Sequence, residues 1–363
     1  CKFQGRFLFE TENDIKRARD MGIKDLDKKY ELNEIIKGET VFCATGITDG
    51  DLVKGVSIIN NPLISPNIAD GATNIDTYSL SIMTDRNRVL AATVYRPKEG
   101  TTTAIMIAPA TGIRRHFYHS FALYLAESGF GVLTFDNEGI GESLSTNLAK
   151  CDASLISWGR HDMPAVLDAL QDEFPEASYH LIGHSAGGQL IGLIPNYQAI
   201  TSVFNVACSS GRIKNMGMPY KLKAMGFMDA FIPLSNLTLG YTPSDKIGMG
   251  EPLPRGVARQ WREWCNGAGY IKTAFGKSIH THFYDALSMP ALWLGFSDDD
   301  IANSENMDDM IRVFTNMPVE KRFLNPEDFG LNHIGHMRYF SSKTNAKAPE
   351  LWQMAVDWFS KGE

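Results

Sequence analysis

The chain has 363 residues, enough for one large domain or for a domain with an appendage. Hydrophobic residues make up 44% and charged residues 21%, so there is ample apolar surface for a core and wholesale disorder is excluded. The formal charge is −7 and no segment clusters Lys and Arg among aromatics, which argues against nucleic acid or anionic lipid as an organising partner.

The chain starts at Cys1. The segment Lys2-Phe3-Gln4-Gly5-Arg6-Phe7 shows neither the pattern of a signal peptide nor the tether of a processed lipoprotein, so truncation is expected. Ile15, Ala18 and Met21 predict a short amphipathic helix over 11–23, followed by a strand over 39–44. A polar, glycine-containing turn over 45–51 and a second strand over 53–59 come next. Asn60, Asn61, Pro62, Pro66 and Gly71 resist both helix and strand, so residues 60–75 read as a linker between an N-terminal part, 1–59, and a larger domain, 76–363.

Beyond the linker the pattern becomes regular. Paired strands are expected over 77–84 and 89–96. Short apolar runs then predict strands over 103–109, 131–136, 178–183, 202–207, 290–296 and 320–324. Helical spacing appears over 117–129, 159–173, 186–194 and 349–360. Alternation of this kind signals an α/β domain with a mostly parallel sheet. The stretch over about 212–288 breaks the alternation and is rich in Met, Trp and Pro, so it is expected to be a cap inserted over the site.

The five cysteines, Cys1, Cys43, Cys151, Cys208 and Cys265, form no C-x-x-C pair and read as reduced thiols, with the cytoplasm as the expected compartment. Cys43 and Cys208 lie in apolar runs, where a thiol packs as a small hydrophobe. No apolar stretch approaches the ~18 residues that a membrane span needs. The oligomeric state is not readable.

Gly183-His184-Ser185-Ala186-Gly187 lies between a strand, Tyr179–Ile182, and the start of a helix. A turn this sharp presses backbone segments together at the two glycines and leaves Ser185 exposed as a nucleophile. His184, in the free position of the motif, is expected to pack beside the turn rather than act as the base. A serine hydroxyl is a weak nucleophile, so a histidine must take its proton and a carboxylate must orient that histidine. The apolar run ending at Phe296 delivers Asp298, Asp299 and Asp300 to the rim. Asp299 is preferred because Asp300-Ile301-Ala302 follow it in the usual pattern, with its two neighbours as alternatives. The base is expected from Asn332-His333-Ile334-Gly335-His336. His336 is preferred because Gly335 precedes it, and His333 is the alternative. A developing oxyanion needs backbone donors: Ala186 supplies one, and Thr111 or Ala110, after the first core strand, the other. Arg114, Arg115, His116 and Tyr118 follow directly, where contact with substrate is one reading; charged residues leading a helix are expected to be solvated, and these four are left outside the site. No metal or other cofactor is expected, since the paired histidines lack ligand-spaced partners.

Several stretches carry a resemblance to a family of α/β hydrolases related to serine aminopeptidases and monoglyceride lipases. They are Ala108-Pro109-Ala110-Thr111-Gly112, Phe117-Tyr118, Asp136 with Gly139-Ile140-Gly141-Glu142-Ser143, the Ser185 turn with Gly188-Gln189, Gln260–Cys265, and Ile334-Gly335-His336-Met337. The likeness runs from about residue 76 to the end. Asn137-Glu138 departs from it where relatives carry an aromatic residue and Arg, which bears on a local contact. The resemblance implies an α/β-hydrolase fold with a helical cap.

Residues 1–59 resemble a different family, the C-terminal part of class II fructose-1,6-bisphosphatases, through Cys1 with Gln4-Gly5-Arg6, Met21–Asp27 and Ala44–Val56. The metal-binding acidic residues of that family would lie ahead of Cys1, so phosphatase activity is expected to be absent. A truncated fusion and a join of two unrelated genes are the two explanations. The expected function is a serine hydrolase acting through an acyl-enzyme on a small-molecule carboxylic ester. The alternatives are an amide or peptide substrate, a non-catalytic hydrolase-fold module, and a fusion partner of a sugar bisphosphatase.

Overall fold

The computed structural model describes residues 4–9, 40–45 and 74–360. The chain divides into two compact units, Cys1–Ala72 and Thr73–Glu363. In the first, β1 (Gln4–Phe9) pairs antiparallel with β2 (Thr40–Thr45), Gln4 opposite Thr45. β2 falls on the strand expected over 39–44, whereas β1 was not expected. The helix expected over 11–23 and the strand expected over 53–59 lie outside the described residues, as does most of the expected linker.

The second unit is built on eight strands in the order β12-β11-β8-β7-β5-β6-β4-β3. In chain order they are β3 (Ile75–Met83), β4 (Val89–Pro97), β5 (Thr103–Ala108), β6 (Gly131–Phe135), β7 (Ser178–His184), β8 (Ile200–Val206), β11 (Ala291–Phe296) and β12 (Val319–Leu324). A separate two-stranded pair, β9 (Tyr241–Thr242) and β10 (Leu253–Pro254), falls between β8 and β11. β4 runs antiparallel to both its neighbours, β3 and β6, and the six strands β5, β6, β7, β8, β11 and β12 are mutually parallel. Every residue of β5, β6 and β11 is buried, which requires cover on both sheet faces and explains their unbroken apolar runs. β12, at the edge, has no buried residue.

The cover includes α1 (His119–Glu127), α2 (Met163–Glu173) and α8 (Pro349–Phe359), which fall within the helices expected over 117–129, 159–173 and 349–360. Phe121, Leu125, Val166, Leu170, Leu351 and Ala355 are fully buried. The helix expected over 186–194 is shorter. α3 (Ala186–Gln189) gives way to a 3-10 turn over Ile191–Leu193, because Gly192 is pressed against the Tyr284 ring and Pro195 follows. Between β8 and β11 the chain builds α4 (Tyr220–Met225), a π turn (Gly226–Phe231), α5 (Ile232–Thr238) and α6 (Arg255–Cys265). One further helix, α7 (Ser304–Ile311), had no counterpart in the sequence reading. Five of its eight residues are polar, but it buries Met307 and Met310, and its cap is the Asn303 side chain accepting from the Asn306 N–H. Among the described residues no helix is long and apolar enough to cross a membrane.

Candidate active site

Parallel strands end on one side of the sheet, and the loops that leave those ends form the usual ligand crevice of such folds. Here β7 leads into Ser185, β11 into Asp299, β12 into the loop that carries His336, and β5 into Ala110 and Thr111.

Ser185 has φ 49° and ψ −111°, a strained conformation for a residue with a side chain. Its N–H donates to the Val206 carbonyl at 3.0 Å, and its carbonyl accepts from Gly188 and Gln189, both at 3.1 Å. A Cβ at Gly187 would run into the Ala108 carbonyl, and one at Gly183 into Asn205 and the Gly188 backbone. The two flanking glycines are therefore steric requirements of the packing under the turn. Ser185 alone among residues 180–190 is not buried.

His336 Nε2 lies 3.0 Å from Ser185 Oγ, and His336 Nδ1 lies 2.8 Å from Asp299 Oδ2. A carboxylate only accepts, so Nδ1 carries the proton and Nε2 is the acceptor facing the hydroxyl. Asp299 Oδ1 accepts the N–H groups of Ile301 and Ala302 at 2.8 and 2.9 Å. Burial raises the Asp299 carboxyl, but the His336 imidazole and those two amides outweigh it and hold the group below the ordinary carboxylate range.

The other candidates do different work. Asp298 accepts the N–H groups of Ile334 and Gly335 at 2.9 and 3.0 Å and pairs with the exposed His333 at 2.5 Å, so it shapes the loop ahead of His336. Gly335 has φ 56°, and a Cβ there would strike the His333 ring. Asp300 is exposed.

Ala186 opens α3, so its N–H is one of the donors that a helix leaves without an internal partner. Of the two candidates after β5, the Ala110 N–H is already committed to the Tyr118 hydroxyl at 3.0 Å. Thr111 lies next to it and is partly exposed. From the cap side, Glu251 clamps this loop, its N–H donating to the Gly112 carbonyl at 2.8 Å and its carboxylate pairing with Arg114 at 2.5 Å. Tyr220, at the start of α4, has its phenol pushed up to about 12, first by burial and then by the charges of Asp299 and Asp300.

The expectation that the charged Arg115 is solvated is overturned, and Tyr118, left outside the expected site, lies beside it. Arg115 is 1% exposed, ion-paired to the fully buried Asp136 at 2.5 Å and to Glu142 at 2.8 Å. The Asp136 carboxylate also takes the Arg115 N–H at 2.6 Å and the Glu142 N–H at 3.1 Å. Tyr118 is fully buried and hydrogen-bonded to His184 Nδ1 at 2.8 Å. His184 Nε2 in turn lies 2.8 Å from the His336 carbonyl. Sequence reasoning gave Tyr118 and Asp298 no such role, since their partners are distant in the chain or reached through backbone atoms. Asn137 and Glu138 are buried, and Glu138 pairs with Arg86 and Arg88 at 2.9 and 3.0 Å, so its acidic charge is met by arginines of the β3–β4 hairpin. Cys151, Cys208 and Cys265 are free thiols, and Cys208 is buried with Sγ 3.2 Å from the Ser185 carbonyl. A surface hollow of about 680 Å³ between β3 and α2 includes none of the site residues.

Two family profiles match the chain. Residues 1–69 match bacterial fructose-1,6-bisphosphatase, glpX-encoded, and residues 105–340 match the alpha/beta hydrolase family. Curated relatives of the first stretch are D-fructose 1,6-bisphosphatase class 2/sedoheptulose 1,7-bisphosphatases. That of Trichodesmium erythraeum is 40% identical over 72 residues, covering 16% of this chain and 21% of the relative. That of Prochlorococcus marinus strain AS9601 is 53% identical over 49 residues, covering 13% and 15%. This chain thus spans about a fifth or less of the length of those relatives. Among solved structures, a thermostable carboxyl esterase from Bacillus coagulans in complex with glycerol aligns with a TM-score of 0.54 at 13% identity, covering 78% of this chain and 98% of the esterase. A hypothetical protein from Pseudomonas aeruginosa aligns with a TM-score of 0.54 at 14% identity, covering 80% and 94%. An esterase from Pyrococcus furiosus aligns with a TM-score of 0.50 at 15% identity, covering 84% and 98%. At these identities the likeness is one of fold. With a profile matched from within β5 to just short of the C-terminal helices, on a mostly parallel eight-stranded sheet, the chain belongs to the alpha/beta hydrolase family.

Proposed function

We propose that the chain is a serine hydrolase that cleaves a carboxylic ester through an acyl-enzyme. The observation that carries this reading is the position of His336, whose two ring nitrogens lie 3.0 Å from Ser185 Oγ and 2.8 Å from Asp299 Oδ2. Ser185 Oγ attacks the ester carbonyl while His336 Nε2 takes its proton, and the carbonyl electrons collect on the oxyanion, which the N–H groups of Ala186 and Thr111 receive. On collapse, the C–O bond to the alcohol breaks and His336 returns the proton to the leaving oxygen. Water then attacks the acyl-enzyme by the same route, releasing the acid and restoring Ser185. Asp299 stays ionised throughout, fixing the imidazole tautomer and stabilising its charged form. No cofactor enters these steps.

An ester is taken as the substrate because ester cleavage is common chemistry on this scaffold. The bisphosphatase-like N-terminal stretch is proposed to take no part in this chemistry.

The test is labelling of the full chain with a fluorophosphonate, beside Ser185→Ala, His336→Ala and His333→Ala, followed by turnover of p-nitrophenyl esters and the matching anilides. Labelling and ester turnover should vanish in Ser185→Ala and His336→Ala and persist in His333→Ala. Folded wild type that takes no label would sink the catalytic reading in favour of a binding module. Anilide turnover at least equal to that of the esters would move the substrate to amides.

A further inference from the structure

We infer that Tyr118 and His184 form a positioning pair that ties the proposed oxyanion loop to the loop of the proposed base, on either side of Ser185, without either side chain taking part in the reaction. This rests on the serine-hydrolase reading above.

The direction of each hydrogen bond is forced. The His336 carbonyl can only accept, so His184 Nε2 must carry a hydrogen for their 2.8 Å contact. A neutral imidazole with Nε2 protonated accepts at Nδ1, so the Tyr118 hydroxyl donates there, at 2.8 Å. That leaves the Tyr118 oxygen free to accept the Ala110 N–H at 3.0 Å. The line therefore runs from the backbone after β5, through one phenol and one imidazole, to the backbone of His336. Both side chains are fully buried, so water cannot replace a lost partner. Burial, with His336 as a lesser cause, pushes the His184 imidazole down to about 3, so it stays neutral and puts no second positive charge beside His336.

The pair has two geometric effects. By holding the Ala110 N–H it commits the Pro109–Ala110 peptide and leaves the Thr111 N–H as the donor for the oxyanion. By holding the His336 carbonyl it completes an anchorage that Asp298 begins on the Ile334 and Gly335 N–H groups. The base is thus fixed through its own backbone as well as through Asp299. The Phe340 ring packs edge-on against Tyr118 at 4.9 Å and lies 4.7 Å from His184, so neither side chain has room to turn away.

A Tyr–His hydrogen bond outside the proposed site provides the control. The buried Tyr95 on β4 lies 3.0 Å from Nδ1 of the exposed His119, and neither is a site residue. The experiment measures kcat and KM for p-nitrophenyl butyrate in the full chain, normalised to sites titrated with fluorophosphonate. Wild type, Ser185→Ala, Tyr118→Phe and Tyr95→Phe are compared, together with His184→Gln and His184→Leu. Tyr118→Phe should lose about 10- to 100-fold in kcat with KM within about threefold, while Tyr95→Phe keeps wild-type kcat per titrated site even if it melts earlier. His184→Gln, which still offers an N–H toward the His336 carbonyl, should retain more activity than His184→Leu. A Tyr118→Phe kcat within about twofold of wild type, an equal loss in Tyr95→Phe, or His184→Leu matching His184→Gln would overturn the pair. If wild type shows no turnover that Ser185→Ala abolishes, the hydrolase reading itself fails and the role falls with it. Turnover that needs Ser185 but ignores Tyr118→Phe overturns the pair alone.

Discussion

Asp298 and Asp299 are neighbours in the chain whose carboxylates serve different parts of one loop: Asp299 takes the imidazole N–H of His336, and Asp298 takes the backbone N–H groups of Ile334 and Gly335. Asp299→Asn can present an N–H where an acceptor is needed and so favours the wrong His336 tautomer. The expected loss is about a thousand- to ten-thousand-fold in kcat with the fold intact. Asp298→Ala instead strands two amides and should cost about 1–3 kcal/mol of stability, with the smaller effect on kcat. Ester kinetics beside urea unfolding of both variants checks this, and the reverse ranking in kcat would reject the assignment of Asp299.

Arg115 and Asp136 are a buried ion pair whose acceptor also holds two backbone amides. Arg115→Met leaves Asp136 without its cation in a site closed to water, so unfolding free energy should fall by about 3–5 kcal/mol. Urea denaturation followed by circular dichroism measures it. A loss below about 1 kcal/mol, the range of exposed pairs, would mean that the pair is solvated after all.

Gly187→Ala places a methyl group against the Ala108 carbonyl, which lies in β5 and cannot withdraw. The turn must shift, and the expectation is loss of fluorophosphonate labelling together with a lower melting temperature. Normal labelling at normal stability would show that the turn tolerates a side chain there.

His184 and His180 are held neutral by burial, their imidazoles pushed down to about 3 and about 4. An unfolded histidine titrates near 6.5, so between about 6.5 and these lower values the unfolded chain binds more protons than the folded one. Their contribution is fully present above about pH 6.5 and is lost as pH falls, at up to about 1.4 kcal/mol per pH unit for each group. Unfolding free energies measured from neutral pH down to about pH 5 should decline less steeply in His184→Gln than in wild type. Parallel slopes would count against a neutral buried His184.

The parts of the molecule that could be read from its sequence are those whose physics is local. β5, β6 and β11 show as apolar runs because every residue is covered, and the Ser185 turn shows because two glycines at fixed spacing answer steric demands of their own neighbourhood. The preference for Asp299 and His336 over their neighbours came from short patterns, and the structure brings those two within hydrogen-bond distance. What local pattern could not reveal depends on distant partners. Arg115 looks like a surface charge until Asp136, 21 residues on, arrives beside it. The partners of His184 lie 66 and 152 residues away. α7 is not legible in the sequence because its buried apolar residues are only two methionines among polar neighbours, and the helix after Ser185 is shorter than its pattern predicts because its glycines answer to packing rather than to helix propensity.

The backbone angle at Ser185 has an evolutionary and practical corollary. A side chain held at φ 49° carries strain on the order of 1–3 kcal/mol, a burden that glycine at this position would not bear. Selection for durability alone would therefore drift toward glycine, at the expense of the proposed nucleophile. A Ser185→Gly chain that outlasts the wild type on heating would show that a side chain is kept at this position against the pull of stability.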